Sequence, residues 1–432
     1  METILKRQTQ EQVLDNFKKL RDSDYNLEEF IPSFFEDTIR MCQDDIEELT
    51  RINSSETSNS IFINKSILIK EGVKNIDDFR EFILRHKPRT PNKIEPYKNF
   101  ENILKYVYED LKTCIGGRCT EIFYFNNVNG TYPSTKLIIG NAYRNPFDTL
   151  QTIFHEFCHA IQFKYDERKY SNLWREIGKK DKYSKLEYNK ILRDYYINHL
   201  FIMETGADLF GCMLPLVKAL STGKKELIDA TIKQIENFIF QQGAHNIFSG
   251  YFSYPILKDF LYDEEKLKEL ERFIEEDGKI DCLGLRNFTK ELTSDKQQEY
   301  YEDLFKDDTI DYTLLDRNNA RIEDRRKFIK EHDNSKFVKD YLEFIEKCRE
   351  YKIDEVSILE NCFCDLRRDK PKDEKSSMQT LETALRKNEL MKELKSFYMA
   401  SERIEGEIKK SSQSNTATWL KSSKMEQFNF LR

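Results

Sequence analysis

His155, Glu156 and His159 lie in the stretch Phe154-His155-Glu156-Phe157-Cys158-His159-Ala160, which sets two of only six histidines four residues apart with a glutamate after the first. Residues at i and i+4 share one face of an α-helix. Both imidazoles could therefore turn a ring nitrogen to one ion while Glu156 reaches the solvent position beside it. That chemistry is a zinc clamp with an adjacent carboxylate base. The competing reading is a surface helix that carries two solvated histidines.

The helix itself is predicted by independent signals. Pro146-Phe147-Asp148-Thr149 supplies a turn residue and a candidate N-cap, and Leu150, Ile153, Phe154, Phe157, Cys158 and Ile161 then recur at helical spacing. These residues should face a core, leaving His155, Glu156 and His159 toward a cleft or solvent. A three-ligand site needs one more donor. The continuation Ile161-Gln162-Phe163-Lys164-Tyr165 lacks the glycine and third histidine of a metzincin, which excludes that family. Downstream, Met203-Glu204-Thr205-Gly206-Ala207-Asp208-Leu209-Phe210-Gly211 stands in an apolar run and offers Glu204 and Asp208 as a second i, i+4 pair. Glu204 could close the site and leave a fourth position open to water, and Asp208 could hold a ligand histidine by its other nitrogen. The bland alternative for Glu204 is a capping or salt-bridging carboxylate, and His199 is the next candidate ligand.

With HExxH followed by a glutamate and an acidic residue four on, the chain resembles the gluzincin metallopeptidases. That resemblance implies zinc (Zn2+) bound by His155, His159 and Glu204, with Glu156 as general base and Asp208 bracing a ligand. Thr152 to Ala160 looks like the active helix of thimet-type oligopeptidases, and Gly250-Tyr251-Phe252-Ser253-Tyr254 echoes their tyrosine-rich segment. Glu204 to Phe210 is similar to the second helix of ImmA/IrrE-type regulatory peptidases and of CAAX-type membrane peptidases. The long charged gap from Lys164 to Arg193 is similar to that of anthrax lethal factor-like peptidases. These motifs span a small part of the chain, and Cys158 stands where those families usually have glycine; it should face away from the metal and pack.

Two neutral imidazoles and a carboxylate would bring a bound water's pKa toward about 7, and Glu156 would take its proton and return it to the leaving amine. An oxyanion would need a phenol or imidazole donor. Tyr251, Tyr254, His245, Tyr195 and Tyr196 are the candidates. Tyr251 and His245 are preferred because Gly243, Ala244 and Gly250 suggest a loop that can approach a cleft.

The elements that must position these groups read as an α+β, mostly helical protein. It comprises an N-terminal helical region over residues 1–96, a zincin-like catalytic core over 97–220 with a small sheet beside the HExxH helix, and a helical C-terminal region over 221–432 that ends in a flexible tail. Helices are predicted over 11–21, 30–50, 224–241 and 264–276, and the three prolines of residues 86–96 read as a linker. Thr135 to Tyr143 is β-rich and is either an edge that receives substrate as an added strand or an ordinary core strand. Glu121 to Phe125 would pair with it across the Asn126 to Gly130 turn.

Composition sets the surroundings. A 39% apolar fraction with 31 phenylalanines and 22 tyrosines can build cores, and the net charge of −7 comes from interspersed acids and bases with no basic stripe for nucleic acid. No secretory signal is visible, and no apolar run is expected to reach the length of a membrane span. Nine scattered cysteines fit reduced thiols, as in a cytoplasmic protein or a leaderless effector delivered to a host cytosol. The expected function is a zinc metallopeptidase acting on peptides or proteins. Its rivals are a dedicated regulatory or effector protease with one target, and an inactive zincin that serves as a binding module.

Overall fold

A computed structural model of the chain describes residues 42–54, 59–86, 94–96, 99–113, 117–125, 134–140, 146–164, 170, 172–240, 251–317 and 319–351. The helices expected over 11–21 and over most of 30–50, His245, and the tail lie outside these residues.

In chain order the first elements are α1 (Gln43–Asn53), β1 (Asn59–Ile63), α2 (Lys65–Lys70), α3 (Ile76–Arg85), β2 (Ile94–Pro96), α4 (Phe100–Thr113), β3 (Gly117–Phe125), β4 (Ser134–Gly140) and α5 (Pro146–Lys164). The strands form one sheet in the order β1-β4-β3-β2, with β1 parallel to β4 and the other pairs antiparallel. The two-residue period of a strand sends β1 side chains to both faces. Ile61 and Ile63 enter a small core with Phe79, Phe82, Ile83, Leu104 and Val107 of α3 and α4. Phe62, between them, turns the other way and meets Phe157 of α5 at 5.7 Å. The sheet is thus held between α3 and α4 on one face and the motif helix on the other.

The expected pairing of Glu121 to Phe125 with the β-rich segment is present, with Glu121 opposite Lys136 and a bulge before Phe123. The edge role expected of that segment is not. β4 lies inside the sheet because β1, from a region expected to be helical, pairs along its other side. The terminal strands are β1 and β2, and β3 is covered on one side only in part. β2 covers it only at Phe123 to Phe125, so among the described residues no strand flanks Gly117 to Ile122 on that side.

Beyond α5 come α6 (Leu173–Ile177), α7 (Lys185–Asp194), a π-helical segment (Tyr195–Thr205), α8 (Gly206–Leu220), α9 (Lys225–Phe240), α10 (Tyr254–Tyr262), α11 (Glu264–Glu269), α12 (Cys282–Tyr300), α13 (Ile322–Glu331) and α14 (Lys336–Glu350). A capping box of Ser184 and Glu187 starts α7, and α7, the π segment and α8 run as one helix of 36 residues. This helix is long and apolar enough to cross a membrane, contrary to expectation, but 89% of its most apolar window is buried inside the protein, as in the core helix of a folded domain. The helix expected over 264–276 is shorter: α11 gives way to a 3-10 turn at Leu270–Phe273.

One core joins residues from Cys42 to Cys348. Ile153, Phe154, Phe157, Cys158 and Ile161 of α5 and Leu209, Phe210, Met213 and Leu214 of α8 lie at its centre, each at most 1% exposed. The sheet spans the boundary expected between residues 96 and 97, and helices through α14 pack on the same core. Cys158 packs there as expected.

Candidate metal centre

Burial overturns the picture of a solvated surface helix. Glu156 is 8% exposed, and the two histidines, His155 and His159, are 6% and 8% exposed. Their rings sit 4.6 Å apart and nearly perpendicular. Both Nε2 atoms face the same oxygen, Oε2 of Glu204, at 3.8 Å for His155 and 3.6 Å for His159. Two donors each about 2.1 Å from a tetrahedral ion stand about 3.4 Å apart, so these separations fit a zinc-sized cation between them. All three ligand atoms lie within 4.8 Å of one another.

Close contact between α5 and α8 makes this convergence possible. A Cβ on Gly211 would come within 2.8 Å of the Gln151 carbonyl and 3.3 Å of the His155 amide, so any larger residue there would push the helices apart. Glycine at this position allows backbone to approach backbone, and the site lies alongside.

The winding of the second helix matters as much. Five residues of α-helix advance about 500°, which would put His199 and Glu204 some 140° apart around the axis. Through the π segment, with i→i+5 hydrogen bonds, the two residues come to one face. His199 Nε2 lies 3.4 Å from Glu204 Oε1, and its Nδ1 is 3.2 Å from the Tyr170 carbonyl. Tyr195 stacks on the His199 ring at 5.2 Å and accepts from Arg317 Nη1 at 3.4 Å. His199 is thus a partner of the third candidate ligand; it lies outside the group able to share one ion.

The electrostatics favour a cation. Burial works against the charge on Glu204, yet the His159 charge and hydrogen bonds from His155, His159 and His199 hold its carboxyl well below the usual range. For His159, burial alone would depress the imidazole; the Glu204 charge and hydrogen bond, with Glu156 and Gln162, instead raise it to about 9. A proton here takes the electrostatic place that a metal would occupy.

Asp208 has a different task from the one expected. Its Oδ1 accepts from Gln151 Nε2 at 2.7 Å and its Oδ2 from Ser253 Oγ at 2.5 Å, and all three residues are buried. The Nδ1 of His159 is held by Gln162 Oε1 at 2.7 Å. Asp208 sits four residues beyond Glu204 and meets Gln151, one turn before His155. Together with Thr205, whose Oγ1 accepts from the Phe252 amide at 3.1 Å, Asp208 ties residues 252–253 to the start of α8. This strap fixes Tyr251, whose ring lies 5.6 Å from that of His155 at 64°. Burial, then the charges of Glu204 and Glu156, push the Tyr251 phenol well above its ordinary value, so it stays protonated and able to donate. Tyr254 donates to Glu343 at 2.9 Å and Tyr196 to the Leu315 carbonyl; neither joins the histidines.

Glu156 has a neighbour that the sequence did not single out. A Cβ on Gly117, the first residue of β3, would lie 2.6 Å from Glu156 Cγ and Oε1 and 2.6 Å from Thr152 Cγ2. The carboxylate occupies the space that a side chain at 117 would fill. Gly117→Ala is therefore expected to displace Glu156 and to lower any Glu156-dependent turnover by about tenfold or more while zinc content stays at the wild-type value. Metal analysis and steady-state rates on the same preparation check this.

Comparison of the chain with known protein families, with curated proteins and with solved structures finds no match.

Proposed function

We propose that the chain is a zinc-dependent metallopeptidase in which His155, His159 and Glu204 hold the metal and Glu156 is the general base. The carrying observation is that two imidazole nitrogens four residues apart on α5 meet one oxygen of Glu204, with Glu156 next to the first histidine. Zinc held by these residues would supply Lewis acidity and make water a stronger acid, with a pKa toward about 7.

The remaining work falls to protein groups. Glu156 takes a proton from the attacking water and delivers it to the departing amine. Tyr251, strapped beside His155, donates a hydrogen bond to the oxyanion that develops on the scissile carbonyl. An extended peptide adds to β3 along Gly117 to Ile122, which β2 does not cover among the described residues and where Glu156 lies against the first residue. Such recognition reads main chain more than side chains.

Tyr251→Phe is expected to lower kcat by about 10²-fold, the lower end for an oxyanion donor, with little change in KM. The proposal as a whole is tested by incubating purified zinc-loaded protein with a complex peptide mixture, with and without a chelator, and mapping new termini by mass spectrometry. Chelator-sensitive cleavage of many peptides supports a general peptidase. Cleavage confined to one protein in a lysate supports the dedicated protease. A zinc-loaded chain that cleaves neither leaves the site as a binding module.

A further inference from the structure

Gln162 is completely buried, three residues beyond His159 on the same face of α5, and its amide spans the two halves of the site. Oε1 accepts from His159 Nδ1 at 2.7 Å. Nε2 donates to the carbonyls of Ile202 at 3.0 Å and Met203 at 2.9 Å, the two residues directly before Glu204. Where π winding returns to α winding, the Gly206 amide turns to the carbonyls of Phe201 and Met203 and skips Ile202, its ordinary i−4 acceptor. The partly buried Ile202 carbonyl that this leaves receives its donor from Gln162, at the point where the register changes.

We propose that Gln162 is a positioning residue that couples the two ligand helices. By accepting at Oε1 it holds the His159 proton on Nδ1 and leaves the Nε2 lone pair turned toward Glu204 and the proposed metal position. Through Nε2 it stabilises the π register that brings Glu204 to the same point. A single side chain therefore orients two of the three ligands. An amide can do both, since it accepts at one end and donates at the other. The inference rests on the metal-binding half of the proposed function. Its readout is metal affinity, which needs no substrate, so failure of the peptidase reading would leave it standing.

The test compares Gln162→Met and Gln162→Glu with wild type by zinc competition against a chromophoric chelator, by the visible spectrum of the cobalt-substituted protein, and by melting of the metal-free protein. Methionine keeps the length and removes both bonds. Glutamate keeps an acceptor for His159 but faces the two carbonyls with a second acceptor. Both variants should bind zinc about 10- to 100-fold more weakly, the range for loss of a partner that orients a ligand, with altered cobalt bands. Wild-type affinity in Gln162→Glu would overturn the coupling and leave Gln162 acting on His159 alone. Wild-type affinity in both variants, with only the melting temperature lowered, would reduce Gln162 to a packing role and overturn the proposal. Should either variant fail to fold, the ring ¹⁵N shifts of the zinc-loaded wild type decide: His159 protonated at Nδ1 upholds the assignment, and metal on Nδ1 overturns it.

Discussion

Glu156→Gln is expected to keep about one zinc per chain and to lose peptide hydrolysis by about 10²- to 10⁴-fold, the span attributed to a general base. The amide has the shape of the carboxylate and fits the same space against Gly117, so the protein should fold and load metal normally. It cannot take a proton from water. Glu156 is 8% exposed and its oxygens lie apart from the three-ligand group, which is why the loss should fall on kcat and leave the metal in place. Metal analysis together with single-turnover cleavage measures both halves. Full activity in this variant would remove the mechanism, and loss of zinc together with activity would mean that Glu156 belongs to the ligand set.

Glu204→Ala and His159→Ala should each drop from about one zinc per chain to near none after dialysis. The roughly 10–16 kcal/mol of a structural zinc site divides over about four ligands, so deletion of one should weaken binding on the order of 10²- to 10³-fold. The two variants test different things. His159→Ala also leaves Gln162 Oε1 without its donor, whereas Glu204→Ala leaves three imidazoles facing a gap. His199→Ala serves as the comparison: because His199 meets Glu204 at Oε1, while His155 and His159 meet Oε2, and stands outside the three-residue group, it should weaken zinc by no more than the 10- to 100-fold of a supporting partner. A larger loss in His199→Ala than in Glu204→Ala would exchange their assignments and make His199 the third ligand.

The motif helix was legible because several signals agreed. Leu150, Ile153, Phe154, Phe157 and Cys158 repeat at helical spacing, and the same spacing puts His155 and His159 on one face, so local periodicity was enough. The pairing of Glu121 to Phe125 with the next strand was legible as two β-rich runs close together in the sequence. β1 escaped notice. Five residues, Asn59 to Ile63, carry too little pattern to announce a strand, and their partner lies more than seventy residues away. That pairing puts β4 inside the sheet and removes it as an edge. The π segment was also invisible, because its mostly apolar residues show no helical period that would set π winding apart from α winding.

The sequence by itself therefore determined the metal chemistry it could offer: two imidazoles and a base in one helical register, and a carboxylate in a second apolar helix. These are local facts, set by spacing along one helix at a time. The tertiary structure decided which groups meet. It brought Glu204 to the histidines through the close approach at Gly211, and turned His199 toward Glu204 through the π winding. It assigned the His159 Nδ1 contact to Gln162 instead of Asp208, and used Asp208 to hold the segment bearing Tyr251. Each of these depends on the distance and rotation between elements far apart in the chain. Burial and packing fix those quantities, and the order of residues within any one helix does not carry them.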